Sequence, residues 1–235
     1  MSDYHNEQSY MQESPRESIG QYTSKTFLWM FWGLLLTFAV AFLGYYTGFI
    51  YELFAIPALP FILLIAEVGV VIYLSARIEK MSVSKAKTMF FIYAALNGIV
   101  FSTYFIMYEL TSLIFVFALT AMYFGAMALY GYFTKSDLSR MRPILMGGLI
   151  FLVVFWLLSL FLDISQFERI VCVIGVLVFL GLTAYDTQKI KAYYHMFPYD
   201  SEMASKASIF AALQLYLDFI NLFVYLLRIL GTRRD

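Results

Sequence analysis

The segment LTSLIFVFALTAMYFGAMALYGYFT, residues 110–134, contains no charged side chain. A helix rises about 1.5 Å per residue and the hydrocarbon core of a bilayer is about 30 Å thick, so about 20 apolar residues cross it once. Backbone groups inside hydrocarbon must satisfy their own hydrogen bonds, which a helix does. The segment therefore predicts one transmembrane helix.

Six more segments of similar length lie on either side of this one. The charge-free segments are residues 26–51, 88–108 and 143–162, and the segments that hold one acidic residue are residues 53–76, 170–187 and 206–228. The connections between them are short and leave no room for a separate enzyme domain. We therefore predict an all-α membrane protein, a bundle of seven transmembrane helices.

The composition agrees with a membrane protein rather than a soluble one. With 62% hydrophobic and 14% charged residues, the chain cannot cover an apolar core with a polar shell, so the lipid bilayer is its expected partner. The formal net charge is zero, which gives no indication of nucleic acid binding. We predict a flexible polar tail at residues 1–24, the helical domain at residues 25–231 and a short C-terminal tail at residues 232–235.

The basic residues predict the orientation, because lysine and arginine accumulate in cytoplasmic loops. With the N-terminus in the cytoplasm, the loops on the opposite side hold only Arg169, but seven crossings also place Arg228, Arg233 and Arg234 on that side. Either the seventh segment is re-entrant, or it crosses the membrane fully although its arginines favour the cytoplasmic side. We expect seven full spans. The chain has neither a signal peptide pattern nor a glycosylation sequon, so we expect a multi-pass protein of the bacterial inner (plasma) membrane.

Three acidic residues lie inside predicted spans: Glu67, Asp186 and Asp218. A carboxylate at the centre of a bilayer costs about 2.5–3.5 kcal/mol on insertion scales, so such groups normally face the bundle interior and mark a pathway or a proton relay. The seventh span repeats polar residues at steps of four and three, which places them on one helix face: Gln214, Asp218, Asn221, Tyr225 and Arg228. We call this face the polar seam.

We expect Asp186 and Asp218 to meet inside the bundle, where Gly175 and Gly181 allow close helix approach. Two carboxyl groups in a low-dielectric site cannot both ionise cheaply, so the pair is expected to share a proton and to sense pH. Arg77, at the cytoplasmic end of the second span, has the depth to form an ion pair with Asp186.

Each of these residues also has an ordinary structural explanation. Asp186 would then be an interfacial residue, Asp218 a contact between helices, Glu67 a protonated structural residue and Arg77 an ordinary cytoplasmic charge. A protease of the intramembrane aspartyl type would need Gly-x-Gly-Asp around the second aspartate, but Asp218 follows Tyr216-Leu217. We therefore expect no enzyme activity and no cofactor.

Three stretches resemble the transmembrane Bax inhibitor motif family in its bacterial branch. They are GLTAYDTQKIK at residues 181–191, LYLDFINLF at residues 215–223, and YGYFTK at residues 130–135 followed by Asp137-Leu138-Ser139. The resemblance runs from about Ser24 to Gly231. It implies a seven-helix fold in which Asp186 and Asp218 form a di-aspartyl pH sensor in a calcium-leak pathway.

The resemblance further implies that Arg77 latches the closed state against Asp186 and that Glu67 lies along the pathway. Calcium prefers six to eight oxygen ligands, so Asp186 and Asp218 are expected to hold it only weakly and transiently, with Asn221 on the same face. The function predicted is a pH-sensitive calcium leak channel. The alternative is an interaction protein that modulates a membrane protease or a stress response.

Overall fold

The structure is a computed structural model, and it describes residues 17–234. Within that range the α-helices are α1 (Ile19–Tyr46), α2 (Phe49–Phe54), α3 (Leu59–Arg77), α4 (Val83–Met107), α5 (Leu110–Phe133), α6 (Arg142–Ser159), α7 (Glu168–Met196) and α8 (Ser201–Leu230). All except α2 belong to the seven described helices that are long and apolar enough to cross a membrane. The predicted fold class is confirmed.

The first helix begins earlier and ends earlier than the charge-free segment indicated. Ser18 caps it in a capping box, in which the Gln21 backbone N–H donates to Ser18 Oγ at 3.2 Å and the Ser18 N–H donates to Gln21 Oε1 at 2.7 Å. Residues 19–24 of the predicted tail are therefore helical, and residues 1–16 lie outside the described residues. At the other end, Gly48 adopts a φ of 75°, which favours glycine, and separates α1 from the short helix α2.

Helix α8 lies at the centre of the bundle. It packs against α1, α4, α5 and α7, whereas α3 packs chiefly on α4 and α6 packs chiefly on α7. Of the most apolar 18-residue stretch of each helix, 67% is buried in α8 but only 11% in α3 and in α6. The bundle therefore has a central helix, an inner layer around it, and two peripheral helices.

Small residues bring the inner helices close together. A β-carbon at Gly131 of α5 would overlap the backbone carbonyl of Ala184 in α7. A β-carbon at Gly175 of α7 would come within 2.7 Å of the Tyr225 ring in α8, so the close approach predicted for this glycine is confirmed. Gly181 instead faces Leu145 of α6.

Hydroxyl groups tie α1 to its neighbours inside the apolar interior. Thr37 Oγ1 donates to the carbonyl of Ala94 in α4 at 2.8 Å and lies 2.6 Å from the Tyr216 hydroxyl in α8. One further pair, Thr26 with Ser208, joins α1 to α8 at 2.8 Å. Because lipid cannot supply hydrogen bonds, these contacts hold the helices in a specific register.

The C-terminal residues fold against the connection between α4 and α5. The Glu109 N–H donates to the Thr232 carbonyl at 3.1 Å, and the Arg234 N–H donates to the Met107 carbonyl at 3.0 Å. Near the other end of the bundle, the Tyr194 hydroxyl donates to the Glu17 carbonyl at 2.9 Å. The two ends of the described chain thus lie on opposite faces, so the seventh segment is a full span and not re-entrant.

Two of the three arginines that break the cytoplasmic charge rule have local partners. Arg228 pairs with Glu168 at 3.7 Å, and Arg234 Nη1 donates to the Tyr45 hydroxyl at 2.7 Å. These contacts explain how the C-terminal charges are accommodated on the face opposite the N-terminus.

Candidate ion site between the sixth and seventh spans

The predicted sixth and seventh spans correspond to α7 and α8, which run antiparallel. Lys189 Nζ of α7 donates to Gln214 Oε1 of α8 at 3.4 Å, and further along the pair the Phe179 and Tyr225 rings stack at 5.9 Å. Asp186 lies about one turn from Lys189, and Asp218 lies about one turn from Gln214 in the same direction. The register therefore places the two aspartates at nearly the same depth.

Both aspartates are buried, at 7% exposure for Asp186 and 4% for Asp218. They line one cavity of about 1310 Å³ between α3, α6, α7 and α8. The structure thus brings together the two residues that the sequence singled out most clearly.

The two carboxyl groups have different surroundings. Asp186 forms an ion pair with Lys189, one turn along the same helix, at 3.7 Å. Asp218 Oδ2 is buried and has no hydrogen-bond partner among the described residues. A carboxyl oxygen without a partner is costly in a low-dielectric interior, which makes Asp218 the group in this cavity most in need of a proton or a cation.

Arg77 does not form the predicted ion pair with Asp186. It is exposed at the end of α3 and is in no ion pair within residues 17–234. The turn that follows α3 is held by Lys206 Nζ, which donates to the Glu79 carbonyl at 3.0 Å. Lys206 lies about 18 Å of helical rise before Asp218, which is at the depth of Asp186, so the turn after α3 lies nearer the end of the bundle than Asp186 does.

Glu67 lies outside the cavity of the two aspartates, although Leu64 and Val68 on the same helix line it. Its side chain is half-buried, and its Oε1 atom has no hydrogen-bond partner in the described part of the chain. Asn221 does line the cavity, and its Nδ2 donates to the Leu217 carbonyl at 2.8 Å, which leaves the amide oxygen available.

The ion pair of Arg228 with Glu168 also lines the cavity, farther along α8 from Asp218. The sequence had placed Arg228 on the polar seam, but Glu168 was missed, because an acid in the first turn of a helix is ordinarily a favourable partner of the helix dipole. The cavity therefore extends from the depth of the two aspartates and Lys189 to the Arg228–Glu168 pair.

The oxygen atoms present could hold calcium only weakly. At the depth of the aspartates the cavity offers two carboxyl groups and the amide oxygens of Gln214 and Asn221, and residues 17–234 contain no group of three or more His, Cys, Asp or Glu side chains placed to bind a metal. Calcium prefers six to eight oxygens, so this set resembles a transient site rather than a storage site.

Comparison with known proteins places the chain in a family. The profile of the family described as "Inhibitor of apoptosis-promoting Bax1" matches residues 19–235. The chain is 43% identical to the inner membrane protein YbhL of Escherichia coli over 94% of its own length and 95% of that protein. It is 40% identical to an uncharacterized protein of Rickettsia prowazekii, over 93% and 92% of the two chains.

An uncharacterized protein of Deinococcus radiodurans is 37% identical, over 95% of each chain. These matches cover almost all of the described helices, and the resemblance drawn from the three sequence stretches is confirmed. The chain therefore belongs to the Bax inhibitor-1 family and is a multi-pass inner membrane protein.

Proposed function

We propose that this protein is a pH-sensitive calcium leak channel in which Asp186 and Asp218 form the pH sensor. The observation that carries the proposal is the pair of buried aspartates, which face one cavity inside the helix bundle at nearly the same depth. Membership of the Bax inhibitor-1 family supports the same conclusion. We infer a transport role rather than an enzymatic one.

Calcium is the transported ion in this proposal and is bound only in passing. A conducting site must bind an ion well enough to admit it and weakly enough to release it. The two carboxylates supply charge, while Asn221 and Gln214 supply neutral oxygens on the polar seam. The arrangement lacks the full oxygen cage of a storage site, which favours passage.

Protonation is proposed to weaken the attraction for calcium. The cation that pairs with Asp186 here is Lys189 on the same helix, which also donates to Gln214 of α8. A proton on Asp186 or Asp218 removes negative charge from the pathway, whereas the hydrogen bond from Lys189 to Gln214 does not require that charge. We therefore expect the flux to fall as the pH falls.

Residues of α3 are proposed to act when that helix moves. Because α3 packs chiefly on α4, little holds it against the rest of the bundle. A displacement toward α7 would carry Arg77 toward Asp186 and Glu67 toward the pathway. In this proposal Arg77 latches a second state that differs from the one described.

The test is calcium-indicator flux into proteoliposomes between pH 6 and pH 8. Asp186→Asn and Asp218→Asn are each expected to lower the flux at pH 8 by about tenfold, the change that corresponds to about 1.4 kcal/mol of lost attraction. Both variants should also flatten the pH dependence. The control is Glu52→Gln, which removes an exposed acid on α2 that does not line the cavity.

Wild-type flux no higher than that of protein-free liposomes would overturn the proposal. The alternative function, modulation of a membrane protease or a stress response, would then be tested by deletion of residues 1–16, which leaves the Ser18 cap and α1 intact. Loss of that role on deletion, with both aspartates dispensable, would identify an interaction protein.

A further inference from the structure

The cavity that holds Asp186 and Asp218 is larger than a metal ion requires. Its volume is about 1310 Å³, whereas cavities that enclose a drug-sized ligand measure roughly 300–1000 Å³. A calcium ion bound directly by oxygen at about 2.4 Å occupies a small part of such a space. The space therefore has room for an organic molecule as well as for an ion.

The walls of the cavity differ in chemistry. On the α6 side the lining is apolar and includes Leu149, Val153 and Trp156. On the α8 side the polar seam supplies Asp218 and its amide neighbours. A ligand that satisfies both walls has a bulky apolar body and one polar or charged centre.

The charges around the cavity determine the sign of that centre. Four of the charged side chains form two ion pairs, Asp186 with Lys189 and Arg228 with Glu168. The remaining lining charges besides Asp218, namely Arg142 and Asp163, are exposed at the ends of α6.

Asp218 is left as the buried carboxyl group of the cavity that no described cation neutralises. It is only 4% exposed, has no ion-pair partner among the described residues, and its Oδ2 accepts no hydrogen bond within that part of the chain. A cationic centre complements this carboxyl group, whereas an anionic centre would be repelled.

The cavity is open toward the bilayer between α3 and α6. These two helices do not pack closely on one another, and their lining side chains are accessible: Val68 is 49% exposed, Val153 50% and Trp156 40%. In a membrane these side chains face lipid, so the cavity is reached through an apolar opening. A hydrated metal ion cannot take that route cheaply, but an organic cation with its charge shielded by apolar groups can.

We propose that the cavity between α3, α6, α7 and α8 binds a lipophilic organic cation that enters from the bilayer, with its charged centre at Asp218 and its apolar body against α6. Aromatic rings along the lining, including Trp156 and Tyr185, add favourable contacts to a cation. The proposal goes beyond calcium flux, because it requires binding but no ion conduction.

Binding is measured with tetraphenylphosphonium by equilibrium dialysis against the full chain in lipid nanodiscs, in calcium-free buffer, with empty nanodiscs subtracted. Tetraphenylborate, which has nearly the same size and shape but the opposite charge, is the matched ligand control. We expect saturable binding of the phosphonium and none of the borate. Asp218→Asn should weaken phosphonium binding by more than about tenfold, because the cationic centre of the ligand loses its carboxylate partner.

Two further variants separate the site from general effects on folding. Asp137→Asn removes an exposed acid that does not line the cavity and should bind like the wild type. Met146→Trp keeps every charge but fills the cavity from α6, where Met146 is 42% exposed, and should also weaken binding. Helical content and elution volume show whether each variant is folded.

Three results would overturn the proposal. The first is no saturable phosphonium binding above empty nanodiscs, which would indicate that lipid chains or a neighbouring helix fill the cavity. The second is equal binding by wild type and a folded Asp218→Asn variant. The third is equal binding of the borate, which would show that the size of the ligand, and not its charge, determines binding.

Discussion

Helices α8 and α6 are both long and apolar enough to cross a membrane, but their positions in the bundle are opposite. Helix α8 has one of the lowest hydropathies among the seven spanning helices and is the most buried, whereas α6 is more apolar and mostly exposed. In water the more apolar helix would be buried. In a bilayer lipid solvates apolar side chains, so the helix with polar groups to satisfy lies at the centre.

The strongest test of this comparison uses glycines from the two regions. Gly131→Ala places a methyl group against the Ala184 backbone in the inner layer, where no flexible side chain can move aside. We expect a loss of about 1–3 kcal/mol in the free energy of unfolding, the usual range for overpacking. Thermal unfolding in a mild detergent measures it.

The matched control is Gly147→Ala on α6, where an added β-carbon meets no atom within 4 Å. Alanine favours helix over glycine by up to about 1 kcal/mol, so this variant should be as stable as the wild type or more stable. Equal destabilisation by both substitutions would contradict the division into an inner layer and a periphery.

A smaller effect is expected from Tyr216→Phe in α8. The ring is fully buried and stays in place, but the hydroxyl contact of 2.6 Å to Thr37 is lost. Thr37 still donates to the Ala94 carbonyl, so no donor is left unpaired, and we expect a loss of about 1 kcal/mol. The control is Tyr130→Phe, which changes an exposed tyrosine of α5, and thermal unfolding is measured for both variants. Similar unfolding midpoints would contradict a stabilising role of the Tyr216 hydroxyl.

The sequence predicted the number of spans because, apart from a few acidic residues, charged side chains lie near the ends of the spans. It did not predict the break at Gly48, because the turn there carries no charge and the apolar run continues into α2. It also predicted the common depth of Asp186 and Asp218, since helical spacing and the antiparallel order of consecutive spans determine depth.

The ion-pair partner of Asp186 was not predicted correctly. An ion pair with Arg77 depends on which helices α3 packs against and on how far its end lies from the cavity, and neither follows from the spacing within one helix. The observed partner, Lys189, lies three residues along α7, a separation at which side chains on a helix are neighbours. Local geometry was thus predictable, whereas the placement of a peripheral helix was not.

The smallest effect is expected in the connection between α5 and α6, outside the membrane. Hydrogen bonds from the Ser139 side chain and its backbone N–H hold the pKa of the exposed Asp137 carboxyl below its ordinary value. Because the pKa is lowered on folding, the stabilisation is present at neutral pH and is lost as the pH falls through the folded-state pKa. Ser139→Ala should move the pKa partway back up, as measured by carboxyl NMR titration.

An unchanged titration of Asp137 in Ser139→Ala would show that Ser139 does not lower the pKa of this carboxyl group. Whichever way it titrates, the effect should stay within the connection and leave the midpoint of unfolding nearly unchanged, in contrast to the substitutions in the inner layer.

The central position of α8 has a consequence for how the protein is made. Helix α8 is the last of the spanning helices to leave the ribosome, so the earlier helices are inserted before the segment they surround has been synthesised. Until then the partners of α8, including Thr37 in α1 and Lys189 in α7, must be accommodated by lipid, by one another or by the insertion machinery. Assembly of the bundle is therefore completed only after translation has passed Leu230.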